Sequence, residues 1–474
     1  MPSKWIVLAV AGSGVYMVTL DSGIVNVALP TLTREFNAPV AVAQWVILGY
    51  VLCITGLLLP VGRLADIVGR KRIFLTGFMI FTVASALCGL ATSLEMLVAA
   101  RVLQGIGGAM VQANSSGLVT QAFPSEQRGR ALGLNGAIVS AGLLSGPVLG
   151  GLIIQWFSWH WCFFVNVPIG IVATFFGLRQ LREAGIRPGQ KFDLPGAALF
   201  LALVVGLLLT LNLGGQEGVS PRVLGLAGAT LLAGIVFVMV EMRVPQPTLE
   251  FGLFRHPGFR AASLSAFCSF LGVSHTQLLM PFYLQLVLGL PPSQVGLVLV
   301  TIPASLLVLG PLFGALSDRI GSRVLASVGL VVAAAGLLSM TTLGPETPVP
   351  LVMARLLLMA LGLGCFNSPN SSALFGSLPR ERYGVGGAYQ SLTRNLGQSI
   401  GQTLAAALWT AAVMLNAGVA AVDQAPVAAL MTGFRVAFGF AAAVVVAGAA
   451  VSYFARPSHQ PSVAPAAELV GRRS

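Results

Sequence analysis

The chain has 474 residues, of which only 9% are charged and 56% are hydrophobic, and its mean hydropathy is +0.87. A soluble protein needs a more charged exterior, so this composition excludes a soluble globular protein. Apolar residues spread over the whole chain indicate many membrane spans, with the lipid bilayer as the surrounding medium. The net charge of +12 suits nucleic-acid binding in principle, but the distribution of the charges along the chain argues against it.

Windows of about 20 mainly apolar residues, the length that a membrane-crossing helix needs, recur fourteen times. The first window begins at Trp5 and is too long for the apolar core of a signal peptide, so we expect it to remain as span 1. The fourteen predicted spans lie at roughly 5–30, 42–62, 73–93, 96–120, 131–156, 162–182, 195–214, 222–241, 258–284, 293–316, 323–343, 350–375, 385–415 and 431–454. Spans 7 and 8 are the least polar pair and carry no motif.

Positive charges collect in every second connection between spans. An even number of spans places both termini on one side, and if that side is the cytoplasm, cytoplasmic segments hold 21 of the 27 lysines and arginines. The positive-inside rule describes this excess. We therefore expect a multi-pass protein of a bacterial-type inner (cytoplasmic) membrane with both termini in the cytoplasm. Because the basic residues are divided among eight separate segments, we expect no nucleic acid as a partner.

Residues that usually carry metal or catalytic chemistry are few and scattered. The five cysteines show neither metal-ligand spacing nor a disulfide pattern, and we interpret them as apolar packing residues. Four histidines supply no HEXXH motif and no histidine cluster. We expect no metal, no cofactor and no enzymatic activity. A membrane-embedded enzyme, a channel and a scaffold are the alternatives that the sequence disfavours.

The chain repeats itself at an offset of 252 to 256 residues. The loop motif after span 2, Gly62 to Arg72, returns after span 10 as Gly314 to Arg323. Arg101 opens a span that runs on to an Asn-Ser-Ser triplet at 114–116, and Arg355 opens one that runs on to the same triplet at 370–372. Two matches at nearly one offset indicate a duplicated six-helix unit. Transporters with two such units bind their cargo near the bilayer midplane, at the interface between the repeats.

The motifs themselves are specific. They are LDSGIVNVALP at 20–30 in span 1, GRLADIVGRKR at 62–72, RVLQGIGG at 101–108 in span 4, GLLSGPVLGG at 142–151 in span 5, and the junction of spans 5 and 6 at 159–170. Together they resemble the major facilitator superfamily and, within it, the fourteen-helix drug:proton antiporter family. One departure is His160, which stands where this family usually has an arginine.

This resemblance implies the fold class, an all-α integral membrane protein with the major facilitator fold, built from two six-helix bundles plus two inserted helices. We expect an N-terminal bundle at 1–184, a two-helix insertion with its flanking linkers at 185–250, a C-terminal bundle at 251–456 and a short cytoplasmic tail at 457–474. The resemblance covers essentially the whole chain.

Asp21 is the only acid deep in an apolar span. A carboxylate at that depth is costly unless it is protonated or paired, so we interpret Asp21 as a proton carrier, with a structural hydrogen-bonding acid as the alternative. Arg101 is a permanent charge that we place near the cytoplasmic end of span 4. Pairing with Arg101 would couple protonation of Asp21 to conformation, a role that the resemblance supports. Snorkelling of Arg101 to the headgroups is the alternative.

Two glycine-containing motifs suggest moving parts. By resemblance, Gly62, Asp66, Gly69 and Arg70 gate the cytoplasmic side, and Asp318 is the counterpart of Asp66 in a weaker second loop. In span 5, the small residues Gly142, Gly146, Pro147, Gly150 and Gly151 allow two backbones to touch and bend the helix. By resemblance, this span 5 motif marks exporters, although a plain packing motif is the alternative.

Polar side chains in the second half are candidates for cargo contacts. His275 lies 254 residues after Asp21, an offset that would let the two face one another across the pseudo-twofold axis, with His275 as a second titrating group or a cargo contact. A buried core histidine is the alternative. The other tentative substrate-binding residues are Gln277, Asn367, Asn370, Gln390 and Arg394. With one deep acid, neutral or monocationic lipophilic compounds fit this site better than divalent cations.

These observations predict a proton-coupled secondary active transporter that exports small lipophilic compounds by alternating access, in the manner of multidrug efflux. The alternatives are export of an endogenous lipid or metabolite and, less favoured, proton-coupled uptake. The expected partners are the proton and a small-molecule substrate. We expect a monomer, and nothing in the sequence indicates an accessory periplasmic protein.

Overall fold

The computed structural model describes residues 4–124, 127–183, 193–244, 249, 251–378, 383–418 and 425–454. Within these residues the regular secondary structure is entirely helical. Fourteen long helices, α1 to α14, correspond one to one to the fourteen predicted spans. The all-helical integral membrane fold predicted from the sequence is therefore confirmed.

The first six helices are α1 (Lys4–Glu35), α2 (Trp45–Val68), α3 (Arg70–Gly89), α4 (Leu94–Ala122), α5 (Arg128–Trp156) and α6 (Asn166–Gln180). The next two are α7 (Leu194–Glu217) and α8 (Pro221–Glu241). The last six are α9 (Pro257–Phe282), α10 (Pro292–Leu299 and Thr301–Ile320), α11 (Ser322–Met340), α12 (Val349–Gly376), α13 (Tyr383–Ala417) and α14 (Val427–Phe454). Short helical turns at Val40–Ala43, Trp161–Phe164, Phe251–Arg255 and Tyr283–Val287 complete the order.

Polar side chains cap the N-termini of three helices. Ser93, Asp193 and Ser220 each accept a hydrogen bond from a backbone N–H in the first turn of the helix that follows, α4, α7 and α8. These side chains satisfy amides that have no partner inside the helix.

Twelve of the fourteen helices are long and apolar enough to cross a membrane by length and composition. Of α5, the described apolar stretch is Ala141–Trp156, and α9 is less apolar than the others. Helix α9 has 26 residues, which corresponds to about 39 Å and exceeds the hydrocarbon core of a bilayer. Its polar side chains, among them Ser265, Ser269, Ser274 and His275, are buried inside the protein. The residues that lower its hydropathy therefore avoid lipid.

Helices α1 to α6 pack against one another, and α9 to α14 do the same. Helices α7 and α8 form a hairpin, and α7 packs against α2 and α13 through an apolar cluster that includes Leu52, Phe200, Val204 and Leu392. The hairpin therefore bridges the two bundles along one flank. The exact domain limits, part of which lie outside the described residues, stay a prediction.

The two ends of the molecule differ in charge. We call the end that carries Arg70, Lys71 and Arg72 the basic side, and the other end the opposite side. Helix α1 begins on the basic side and ends on the opposite side, and each following helix reverses direction.

Contacts between the bundles concentrate at the midplane and on the opposite side. Three hydrogen bonds join described residues of the two bundles. The side-chain amide of Gln285 donates to the Val27 carbonyl oxygen (3.1 Å) on the opposite side. Near the midplane, Thr55 and Ser399 share a hydrogen bond (3.2 Å), and Asn395 donates to Gln112 (3.4 Å). The opposite side is thus the closed side in this structure.

Candidate functional site

Asp21 is fully buried inside the first bundle and is held by donors from two other helices. One carboxylate oxygen accepts hydrogen bonds from the side-chain amides of Gln104 on α4 and Asn166 on α6, both at 3.0 Å. The other accepts from the guanidinium of Arg101 on α4. Ser85 on α3 accepts from the same two amides, at 3.1 and 3.2 Å. Four helices therefore meet around one carboxylate.

Arg101 is as deeply buried as its partner, and its guanidinium makes both polar and aromatic contacts. Its Nε donates to the Val46 carbonyl oxygen at the start of α2 (2.8 Å), and its Nη1 also donates to Gln104 (2.7 Å). The ring of Tyr50 lies 3.9 Å from the guanidinium carbon, a cation–π distance. Snorkelling to lipid headgroups is therefore not what Arg101 does in this structure.

The depth predicted for Arg101 was wrong. Helix α4 begins at Leu94 on the opposite side, so Arg101 lies in its second turn, away from the basic loops. Because α4 is the fourth of a series of helices that alternate in direction, its start cannot lie on the same side as the start of α1. The pairing with Asp21 that the sequence suggested does occur.

Four further side chains complete this network and were not among the predicted site residues: Gln104, Asn166, Ser85 and Tyr50. Gln104 follows Arg101 by three residues in the span 4 motif, and residues at this spacing share a helix face. Asn166 is an amide in an otherwise apolar span. Neutral polar side chains inside apolar spans are the signal that could have found both, since such groups seek hydrogen-bond partners.

The span 5 motif uses two faces of α5. Gly142, Gly146 and Gly150 face α1: a Cβ atom on Gly146 would lie 2.9 Å from the Gly23 Cα and 3.0 Å from the Leu20 carbonyl oxygen. This face touches the backbone on both sides of Asp21. Close approach of two helix backbones requires residues without a side chain.

The second face of the same motif touches the other bundle. A Cβ atom on Gly151 would lie 3.1 Å from the Cα of Ser293 at the start of α10. Gly296 on α10 packs in the same way against Pro147 and the Cα of Val148. Helix α5 therefore joins the helix that carries Asp21 to the closed side of the molecule.

The loop motif between α2 and α3 makes its described contacts within the first bundle. Asp66 accepts from Arg70 (2.9 Å), and Gly69 has a φ of +115°, which favours glycine. Glu183, at the end of the chain segment after α6, accepts from the backbone N–H groups of Lys71 (3.1 Å) and Arg72 (3.3 Å). This carboxylate thus stabilises the N-terminus of α3, a contact that the sequence did not predict.

Two other predicted gating residues contribute less here. No described atom lies within 4 Å of a Cβ placed on Gly62, so close packing does not require a glycine at that position in this structure. The side chain of Asp318 lies outside the described part of the chain. Its neighbour Gly321 has a φ of +89°, like Gly69 in the first repeat.

The structure does not bring His275 to the expected place opposite Asp21. His275 is fully buried in the second bundle, and its ring centre lies 5.9 Å from that of Phe440 on α14. Its Nδ1 is 3.0 Å from the Leu271 carbonyl oxygen of its own helix. The repeat offset predicts the depth of His275 along the bundle but not the direction of its side chain. The ring packs toward α14 instead of the first bundle.

The remaining tentative substrate-binding residues fall into two groups. Asn370 is buried and ties α12 to α9 through Ala262 and Ser265, so it has a packing role. The other four are half-buried: Gln277, Asn367, Gln390 and Arg394. Gln277 lies 3.5 Å from Gln402, and Gln390 donates to Ser371 (2.6 Å). This second group is accessible to a small molecule.

A buried ion pair inside one of two packed helical bundles, with the bundles closed against each other on one side, defines a multi-pass membrane transporter. The sequence model of the Major Facilitator Superfamily matches residues 12–402 and, in a second match, 262–473. The chain belongs to this superfamily.

Named relatives extend over most of the chain. The riboflavin transporter RibZ of Clostridioides difficile (strain 630) is 32% identical over 88% of this chain and 90% of its own length. The multidrug resistance protein Stp of Mycobacterium tuberculosis (strain H37Rv) is 34% identical over 84% of this chain and 74% of its own. A solved structure of a bacterial homologue of the human lysosomal transporter Spinster, inward-facing and unoccupied, superimposes with a TM-score of 0.68 at 17% identity and covers 95% of this chain and 96% of that one.

Proposed function

We propose that the protein is a proton-coupled secondary active transporter of the fourteen-helix drug:proton antiporter family. It exports small lipophilic compounds by alternating access, with multidrug efflux as its biological role. It lies in a bacterial-type inner membrane as a monomer with both termini in the cytoplasm, so that the basic side faces the cytoplasm.

The observation that carries this proposal is the enclosed pair of Asp21 and Arg101. The Asp21 carboxylate binds three donors and has no exposed surface, so its partners within the first bundle enclose it completely. A proton reaches Asp21 only if the pair separates, and separation moves α1 relative to α4. Protonation and helix movement are therefore linked in one step.

The state that the pair accompanies is compatible with export. In this structure the opposite side is closed and Asp21 is paired. An exporter that has released its proton to the cytoplasm has this combination, with the deprotonated carrier ready to take up cargo from the cytoplasmic side. The span 5 motif supports the same direction, because its glycines join the Asp21 helix to the closed contact at α10.

The preference for neutral or monocationic cargo stays a prediction. It rests on the single deep acid, Asp21, whose charge is paired with that of Arg101 inside the first bundle. Neutral lipophilic compounds remain compatible with the half-buried amides in the second bundle. Nothing among the described contacts favours a cation.

Transport by purified protein in proteoliposomes tests the proposal. A pH gradient should drive accumulation of a lipophilic dye or of riboflavin by the wild type, and Asp21→Asn should abolish the gradient-driven part while gradient-free exchange persists. Glu346→Gln, which alters an exposed acid, is the matched control and should transport normally. Undiminished gradient-driven transport by Asp21→Asn would show that Asp21 is not the proton carrier.

A metabolite is the second candidate cargo. The observation that favours it is the 32% identity to a protein named as a riboflavin transporter. The same proteoliposomes distinguish export from uptake, because antiport and symport require pH gradients of opposite sign. Transport of riboflavin with no transport of unrelated lipophilic dyes would replace multidrug efflux with this narrower function.

A further inference from the structure

Arg394 is a charged residue deep in α13 whose surroundings differ from those of Arg101. It stands 11 residues from the start of α13 at Tyr383, which places it about 16 Å into the helix from the basic side. Its side chain is half-buried. A charge at this depth must face water, a counter-ion or a cargo, since facing lipid is too costly.

The neighbours of Arg394 on α13 show where its side chain points. Successive residues of a helix are about 100° apart. Asn395, the next residue, donates to Gln112 of the first bundle, whereas Gly397, at about −60°, touches Phe267 and Phe270 of α9. Arg394 therefore points between α9 and the first bundle, into the space that separates the two bundles. The half-buried Gln398 lies on the same face, one turn further.

Among the described residues, Arg394 has no counter-ion and no hydrogen-bond partner. Two other arginines near a helix end or inside a bundle are paired, Arg101 with Asp21 and Arg70 with Asp66. Because Asp21 is neutralised by Arg101, it does not compensate a second cation. Arg394 therefore brings an uncompensated positive charge to the described part of the space between the bundles.

Alternating access makes the missing counter-ion of Arg394 more costly. When the basic side closes, the water that hydrates Arg394 is displaced, and an unpaired buried guanidinium is strongly destabilised. A cargo that carries its own negative charge supplies the missing partner, and a guanidinium matches a planar carboxylate with two parallel hydrogen bonds. Gln112, Gln390 and Gln398 are half-buried amides that can satisfy the remaining polar atoms of such a group.

We propose that Arg394 is the anion-binding residue of the space between the bundles, so that the preferred cargo is a lipophilic compound with one carboxylate or a comparable monoanionic group. This rests on the proposed passage of cargo between the two bundles. It does not depend on proton coupling through Asp21.

Three probes with one fluorophore and different charge test this proposal: N-dansyl-phenylalanine, a monoanion; its neutral amide; and dansylcadaverine, a cation. Exchange is measured with purified full-length protein in proteoliposomes at equal pH on both sides, so that loss of proton coupling does not affect the result. The wild type should exchange the acid at least about tenfold faster than the amide or the amine, the range that a charge-assisted contact provides.

Two variants remove the free charge in different ways. Arg394→Gln deletes it, and Gln398→Glu, four residues away on the same face, supplies an internal counter-ion. Both should lower exchange of the acid by about tenfold, so that the acid loses its advantage over the amide in the same variant, while Arg394→Lys keeps part of the preference. Arg435→Gln, at an exposed position of α14, is the control and should match the wild type.

The proposal is overturned if the wild type exchanges the amide or the amine as fast as the acid, or if it exchanges none of the acid in a saturable manner. It is also overturned if Gln398→Glu and Arg394→Gln both keep the preference for the acid. If Arg394→Gln does not fold, Gln398→Glu alone decides, because it leaves Arg394 in place.

Discussion

At the scale of single residues, the pair of Asp21 and Arg101 carries a stability requirement as well as a functional one. Both side chains are fully buried, so removal of either partner leaves the other as an uncompensated charge in a medium of low dielectric constant. Removal of one partner of a buried pair typically costs about 3–5 kcal/mol, whereas removal of both is much less harmful.

A double-mutant cycle tests this coupling. Arg101→Leu should lower the thermal unfolding temperature of the purified protein more than the double variant Asp21→Asn, Arg101→Leu does. The reason is that the second substitution removes the charge that the first one left unpaired. Thermal unfolding followed by fluorescence gives both values, and the non-additive part should be about 1–3 kcal/mol.

The same substitution at an exposed arginine serves as the control for this cycle. Arg435→Leu should change the unfolding temperature little, and its effect should add to that of Asp21→Asn. Additive effects of Asp21→Asn and Arg101→Leu would mean that the two charges do not stabilise each other, contrary to the packing described here.

The residues of the site were predictable from the sequence to different degrees. Asp21 and Arg101 stand out because a charge in an apolar span is rare and costly. Gln104 and Asn166 are neutral, and a neutral amide in a membrane helix is a weaker signal than a charge because it is less costly there. The expected position of His275 opposite Asp21 was wrong for another reason. The depth of a residue in a repeat does not determine which neighbouring helix its side chain contacts.

At the scale of helices, two neighbouring glycines of α5 contact different bundles. Gly150 faces Ile24 of α1 inside the first bundle, where a Cβ atom would lie 3.0 Å from the Ile24 Cα. Gly151, the next residue, faces Pro292 and Ser293 of α10 in the second bundle. An added methyl group should therefore disturb packing within a bundle at one position and the contact between bundles at the other.

Gly151→Ala should weaken closure of the opposite side and increase the population that is open there. A cysteine introduced at Ile154, which packs against the apolar core near this contact, should react faster with a membrane-impermeant maleimide in the Gly151→Ala background. Gly439→Ala on α14, where a Cβ atom meets no described atom within 4 Å, should leave the rate unchanged.

Gly150→Ala separates this effect from general loosening. It should lower thermal stability, because the methyl group meets the backbone of α1, without a comparable rise in labelling at residue 154. Equal labelling rates in Gly150→Ala and Gly151→Ala would mean that Gly151 has no special part in closing the opposite side.

Helices were easier to predict than their contacts. The apolar runs in the sequence predicted all fourteen helices, because a long apolar run must satisfy its backbone hydrogen bonds internally in lipid. The break in α10 at Val300 and the two faces of α5 depend on which helices meet, information that a single sequence expresses only indirectly through glycine spacing and proline.

At the scale of the whole molecule, the two repeats share a framework and differ in their charges. Asp21 and Arg101 in the first half correspond to His275 and Arg355 in the second. His275 packs against α14, and Nη1 of Arg355 has no hydrogen-bond partner among the described residues. The described part of the second bundle thus has no buried ion pair, which supports our proposal of a proton-carrying first bundle and a cargo-binding second bundle.

Pairs of exposed residues at helix ends report how the bundles move. Val68 and Ile320 are repeat counterparts at the basic-side ends of α2 and α10, and they form the basic-side pair. Phe157 and Leu415, near the opposite-side ends of α5 and α13, form the opposite-side pair. Spin labels at these positions measure the separation of the bundles on each side.

Neutralisation of Asp21 should move the two distances in opposite directions. Asp21→Asn imitates the protonated acid and releases α1 from Arg101, and α1 acts through the α5 glycines on the closed contact with α10. The population should therefore shift toward the state that is open on the opposite side. In electron–electron double resonance, the basic-side distance should shorten and the opposite-side distance should lengthen, whereas Val68 and Leu178, both in the first bundle, should keep their separation. Distances that change in the same direction on both sides would contradict alternating access driven by Asp21.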